Sequence, residues 1–144
     1  MTTVRERWYR ELFLAAAVYD VALGIVFLFF GGWAFDLLDI RNELPEGGYV
    51  PLLGAFLLVI GIGYWLIYRG DLMRNRDLIA VGTLYKAAYS GVGFWVWAFG
   101  ELPHIVFVAV FGIADLVFFV LMLECWLTLR KQQTAMGASA QPTG

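Results

Sequence analysis

Three ionisable side chains stand deep inside apolar stretches: Asp20 in AVYDVALGIVFLF, Lys86 in TLYKAAYSGVGFW and Asp115 in ADLVF. A charge near the centre of a bilayer costs about 2.5 to 3.5 kcal/mol on insertion scales, so residues of this kind face a protein interior, pair with one another or line a pathway. Two acids and one base support two kinds of chemistry. The ammonium can pair with a carboxylate and fix helix positions. Alternatively, repulsion and desolvation leave the surplus acid with a proton that is shared or exchanged. Tyr19, Tyr64, Tyr85, Tyr89 and Ser90 are the neighbouring side chains able to hydrogen-bond such a cluster.

The elements that must position these groups are long and apolar. The chain has 144 residues, 61% of them hydrophobic, 17% aromatic and only 15% charged, which departs far from the composition of a soluble domain. Spanning about 30 Å of hydrocarbon takes roughly 20 helical residues. Four segments are long enough: residues 12–35, 49–68, 78–99 and 103–129. The expected fold is all-α, an integral membrane antiparallel bundle of four transmembrane helices forming one domain over residues 1–131. A polar tail at 132–144, rich in Gln, Ala, Gly and Thr, is expected to be disordered. An outer-membrane barrel would need short alternating strands, not these continuous runs. The first run is too long for a signal peptide and carries no cleavage pattern, so it is expected to stay in the membrane.

Depth brings the charges together. Asp20 follows Leu12 by eight residues and Lys86 follows Asp77 by nine, which places both about 12 to 14 Å from one boundary. Asp115, twelve residues beyond Pro103, descends about 18 Å from the other side and reaches the same level within a turn. Lys86 shares its helix face with Gly82, Thr83, Tyr89, Ser90 and Gly93, Asp20 with Ala16, Ala17, Leu23 and Gly24, and Asp115 with Phe111, Gly112, Phe118 and Phe119. Small residues at these positions permit close helix approach. The second segment offers Gly54 and Gly61, with Tyr64 and Tyr68 further along the same side.

Charge sets the expected orientation. Arg5, Arg7, Arg10, Arg69, Arg74, Arg76, Arg130 and Lys131 fall on one side of the four segments and only Arg41 on the other. By the positive-inside rule both termini face the cytoplasm, in a bacterial inner membrane. Trp8, Trp65, Tyr68 and Trp126 then mark the inner boundary, and Trp33, Tyr49, Trp95 and Trp97 the outer one. The outer loop at 36–48 is expected to be a short amphipathic turn or a solvated linker, and the short charged loop at 69–77 makes the second and third segments antiparallel neighbours.

Several chemistries lack their residues. A single Cys125 forms no intramolecular disulfide or CxxC pair, and a single His104 provides no set for zinc or bis-histidine haem, so no metal or cofactor is expected. Nothing in the charge pattern points to nucleic acid. Glu124 is half a turn out of phase with Asp115 and is expected to meet Arg69, Arg76 or lipid headgroups, while Cys125 is expected to be packing and His104 interfacial. AVYDVALGIVFLF also aligns with TLYKAAYSGVGFW through Tyr19 and Tyr85, Ala22 and Ala88, and Val26 and Val92, which sets Asp20 opposite Lys86 as a duplicated helical hairpin would.

YDVALGIVFLFF, PLLGAFLLVIGIGYW, RNRDLIAVGTLYK, GELP and ADLVF together resemble a group of short bacterial four-helix membrane proteins of uncharacterised function. The resemblance covers about residues 19 to 120 and rests on Tyr19, Asp20, Gly24, Pro51, Gly61, Gly63, Tyr64, Gly82, Lys86, Pro103 and Asp115. It implies a four-helix fold and no particular activity. In architecture the chain is also similar to DoxX-like proteins, small four-helix bundles sometimes associated with membrane redox complexes. The expected role is a non-enzymatic accessory or interaction subunit, with the lipid bilayer, a second copy or a larger membrane complex as partner. The alternatives are a proton-coupled carrier, a binder of a small molecule, lipid or quinone, and a membrane enzyme with Asp115 as general base. The enzyme has least support, because no nucleophile, metal set or phosphate loop accompanies the acids.

Overall fold

The computed structural model describes residues 3–40, 49–100 and 104–139. Its elements are α1 (Thr3–Phe29), α2 (Gly31–Leu37), α3 (Tyr49–Arg69), α4 (Arg76–Phe99), a π-helical segment (Val108–Ala114) and α5 (Asp115–Ser139), so all regular structure among the described residues is helical. Three of these runs are long and apolar enough to cross a membrane: Thr3–Phe29, Tyr49–Arg69 and Val108–Met136. α4 is not among them, because Thr83, Tyr85, Lys86, Tyr89 and Ser90 dilute its apolar content.

Boundaries at both ends of the chain differ from the sequence reading. The first helix starts at Thr3, not near Leu12, because its amphipathic first turns have partners: Tyr9 is fully buried and Arg10 donates to Glu6, to the Tyr68 carbonyl at 3.0 Å and to the Gly70 carbonyl at 2.7 Å. Arg10 thereby caps the C-terminal end of α3, where helix carbonyls lack partners of their own. The same run breaks at Phe30 (φ −128°, ψ 16°), just before Gly31 and Gly32, and resumes as α2. α2 ends where Asp39 takes a left-handed φ of 52° and Ile40 N donates back to the Phe35 carbonyl. The remainder of the outer loop, with Arg41, Glu43, Pro45 and Glu46, lies outside the described residues, as do Glu101, Leu102 and Pro103. At the far end α5 continues through residues 132–139, which composition assigns to a disordered tail. Arg130, Lys131, Gln132, Gln133, Ala135 and Met136 are good helix formers, and an established helix extends through them at little cost.

α1 packs closely along α3, and α4 along the π-helical segment and α5, with lighter contact between the two pairs. The tightest crossing is built on glycine: a Cβ on Gly54 would lie 2.5 Å from Leu28 N, and one on Gly24 would lie 2.8 Å from Leu58 N. The backbones touch there, which only glycine allows. Two apolar clusters fill the bundle. Tyr9, Phe13, Tyr64, Ile67, Ile79, Met122 and Cys125 belong to the one nearer the chain ends, and Phe27, Phe35, Leu57 and Phe111 to the other. Large side chains such as Val59, Leu84, Val92, Trp95 and Val117 face outward. Such an outside suits hydrocarbon better than water.

Gly54→Ala is expected to destabilise the protein by about 1 to 3 kcal/mol, since the added methyl meets backbone that cannot move aside. Gly63→Ala, with nothing within 4 Å of the new Cβ, is expected to be silent. Thermal unfolding of both variants in one detergent compares them directly.

Candidate functional site

Asp20, Lys86 and Asp115 meet between the two apolar clusters. Asp20 lies on α1 one turn beyond Ala16 and Ala17, Lys86 on α4 one turn beyond Gly82 and Thr83, and Asp115 where the π-helical segment passes into α5. Lys86 Nζ donates to Asp20 Oδ1 at 2.7 Å and to Asp115 Oδ1 at 2.8 Å. Asp20 and Lys86 have no exposed surface and Asp115 has 1%, so solvent does not reach the ion pairs. The sequence left open whether Lys86 touches one acid or both; it bridges both.

Rings enclose the ammonium. Those of Tyr19, Phe118, Tyr85 and Tyr64 have their centroids 4.9, 5.4, 5.5 and 5.7 Å from Nζ. At these distances the negative face of a ring attracts a cation by about 0.5 to 2 kcal/mol. The ammonium therefore has two carboxylates for hydrogen bonds and aromatic surface elsewhere. Tyr64 is seated by glycine as well: its hydroxyl donates to the Gly82 carbonyl at 2.8 Å, and a Cβ on Gly82 would lie 2.5 Å from its ring. Among the described residues, two sealed polar atoms lack a hydrogen-bond partner, Asp20 Oδ2 and the Tyr85 hydroxyl.

Other residues expected at the cluster stand apart from the ammonium. Tyr89 packs at a tilt against Tyr85 and Phe111, with ring centroids 4.5 and 5.9 Å away. Ser90 is buried, but its hydroxyl donates to the Ala87 carbonyl of its own helix at 3.2 Å. Thr83 likewise turns back to the Ile79 carbonyl. Glu124 does point away from the cluster, though its partner is neither Arg69 nor Arg76. Arg5 Nη2 lies 2.7 Å from its Oε1, and Tyr9 and Thr128 complete the group. The early start of α1 brings Arg5 within reach. These contacts hold the exposed Arg5 guanidinium above its ordinary pKa, with the Tyr9 hydroxyl the largest cause and Glu124 next. Cys125 is fully buried packing, and His104 Nδ1 accepts from Val106 N at the start of the last helix.

The π-helical segment is the main feature the sequence reading missed. Its wider turn absorbs extra residues, and each resets the helical phase by about 100°. Asp115 follows it directly, so the segment sets the direction in which this carboxylate projects. Tyr19 secures it: its hydroxyl donates to the Val110 carbonyl at 2.7 Å. Adjacent residues of α1 thus hold both Lys86 and the backbone leading to Asp115. Val108–Ala114 reads as ordinary apolar helix, and only its glycine hints at irregularity. Phe118, three residues past Asp115 and placed on its face by helical spacing, does line the ammonium.

Among the described residues, no group of His, Cys, Asp and Glu could hold a metal ion. No family model, curated protein or solved structure matches the chain.

Lys86→Met is expected to cost about 3 to 5 kcal/mol, because it strands buried carboxyls. Lys86→Met with Asp115→Leu still leaves Asp20 without a partner and stays below wild type. Adding Asp20→Leu recovers most of the loss. Unfolding of the series in detergent is the measurement, and a double variant as stable as wild type would show that Asp20 contributes nothing to the pairing.

Proposed function

We propose that this chain is a non-enzymatic accessory or interaction subunit of a bacterial inner membrane, crossing it four times with both termini in the cytoplasm. The observation that carries this reading is the closure of the Asp20–Lys86–Asp115 bridge. Every charged group at that depth is sealed and engaged in holding α1, α4 and α5 together, and a reacting group or transported ion would need access to at least one of them. Membrane polar residues spent this way stabilise a scaffold.

α4 supplies the fourth span in this reading. Its polar residues Thr83, Lys86 and Ser90 are turned inward, while Val81, Leu84, Val92 and Trp95 face outward. Arg69 lies over Trp65 at 4.7 Å and Arg130 over Trp126 at 5.4 Å, two cation–π pairs suited to the inner headgroup boundary, where basic and aromatic side chains concentrate. The exposed outer surface is then available for lipid, for a second copy or for a larger membrane complex.

The reading predicts that protein reconstituted into lipid nanodiscs after mild extraction contains more than one chain, measured by light scattering. Particles holding a single copy and nothing else would overturn it. For topology, a C-terminal green fluorescent protein fusion is expected to fluoresce, whereas an active alkaline phosphatase fusion at that end would reverse the orientation.

A further inference from the structure

The bridge is unbalanced: two carboxyl groups face one ammonium, all three side chains are buried, and among the described residues no other cation forms an ion pair with either acid. We propose that the cluster is a proton-binding site, with one proton held on Oδ2 of Asp20. This goes beyond the scaffold role and holds whichever partner the protein has.

The groups around Asp20 decide where the proton sits. From α4 come Lys86, whose donation goes to Oδ1, and Tyr85, whose hydroxyl lies beyond hydrogen-bond distance of Oδ2. α3 contributes Tyr64, but its hydroxyl hydrogen is committed to the Gly82 carbonyl. The Tyr19 hydroxyl, on α1 itself, is committed to the Val110 carbonyl. α5 contributes Asp115, a second acid, and the apolar ring of Phe118. No donor of any of these elements, the Tyr85 hydroxyl included, lies within hydrogen-bond distance of Oδ2, which is sealed and unpartnered. An ionised oxygen with no donor in such a place is the costliest arrangement open to the cluster. A proton taken from solvent onto Oδ2 removes that cost and cancels the surplus charge. It also leaves both bonds from Lys86 intact. The new O–H finds no acceptor in this structure either, but an unpartnered neutral hydroxyl costs far less than an unpartnered charged oxygen. Asp115 has no sealed, unpartnered oxygen of this kind and is assigned as the ionised partner of Lys86.

Infrared spectroscopy of the full chain in lipid at neutral pH tests the assignment. The wild type is expected to show the C=O stretch of a carboxylic acid, shifting only slowly in D2O because the site is sealed, and Asp20→Asn is expected to lose it. Asp115→Asn leaves one acid for one ammonium and loses the band too, so stability separates the two sites. An amide at position 20 reproduces an acid with its donor on the second atom and should melt close to wild type, whereas Asp115→Asn removes the ionised partner and should melt clearly lower. Absence of the band in wild type, its persistence in Asp20→Asn, an immediate shift in D2O, or better tolerance of Asn at 115 than at 20 would each overturn the proposal.

Discussion

One ammonium joins three helices. Lys86 cannot be buried without its acids, so wherever α4 enters the bundle, α1 must present Asp20 and the last helix must present Asp115 at the same depth. Much of the surrounding design serves that requirement. Small residues bring α1 against α3 at Gly24 and Gly54, and Gly82 makes room for Tyr64, whose ring is part of the wall around the ammonium. The π-helical segment aims Asp115, and Tyr19 holds that segment in place. Apolar clusters on either side leave the bridge as a thin polar slice in a low-dielectric surrounding, where a salt bridge is strong and its loss is severe.

The two halves of the chain are built alike. α1 lies along α3, and α4 along the helix that follows it, so each half is a closely packed hairpin. Asp20 and Lys86 occupy matching positions in the sequence echo between the halves, and their ion pair is one of the contacts that join the halves. Opposite charge at matched positions gives the pairing a direction that apolar surfaces alone would not supply. Ridges of Leu and Val can slide by a turn; a lysine between two aspartates cannot.

Much of this was readable from residue types and spacing, for physical reasons. Hydrocarbon admits few charges, so counting residues from the segment ends was enough to place Asp20, Lys86 and Asp115 at one level, and small neighbours marked the inward faces. Helix order could not be read this way, because every apolar face looks alike to its neighbours. The π-helical segment was hidden for a related reason: a wide turn is stabilised by partners distant in sequence, here the Tyr19 hydroxyl, and leaves no local pattern. Arg10 was counted only as a topological charge, although it closes the end of α3, because capping by a residue 58 positions away is a tertiary fact. The helical continuation past Lys131 went unseen because composition describes an isolated segment, whereas the helix there is already nucleated.

The chain order of the bridge has a consequence for biogenesis. Asp20 precedes Lys86 by 66 residues and Asp115 follows it by 29, so on a ribosome the first acid emerges long before its counter-ion. During that interval only α1, α2 and α3 have emerged among the described elements, and the glycine contact between α1 and α3 does not involve Asp20. The nascent hairpin therefore holds an unmatched acid until α4 arrives, and α4 in turn brings a lysine that the bilayer alone accepts poorly. In the four-span arrangement proposed above, each helix makes the next one admissible, and the first hairpin acts as the template for the second.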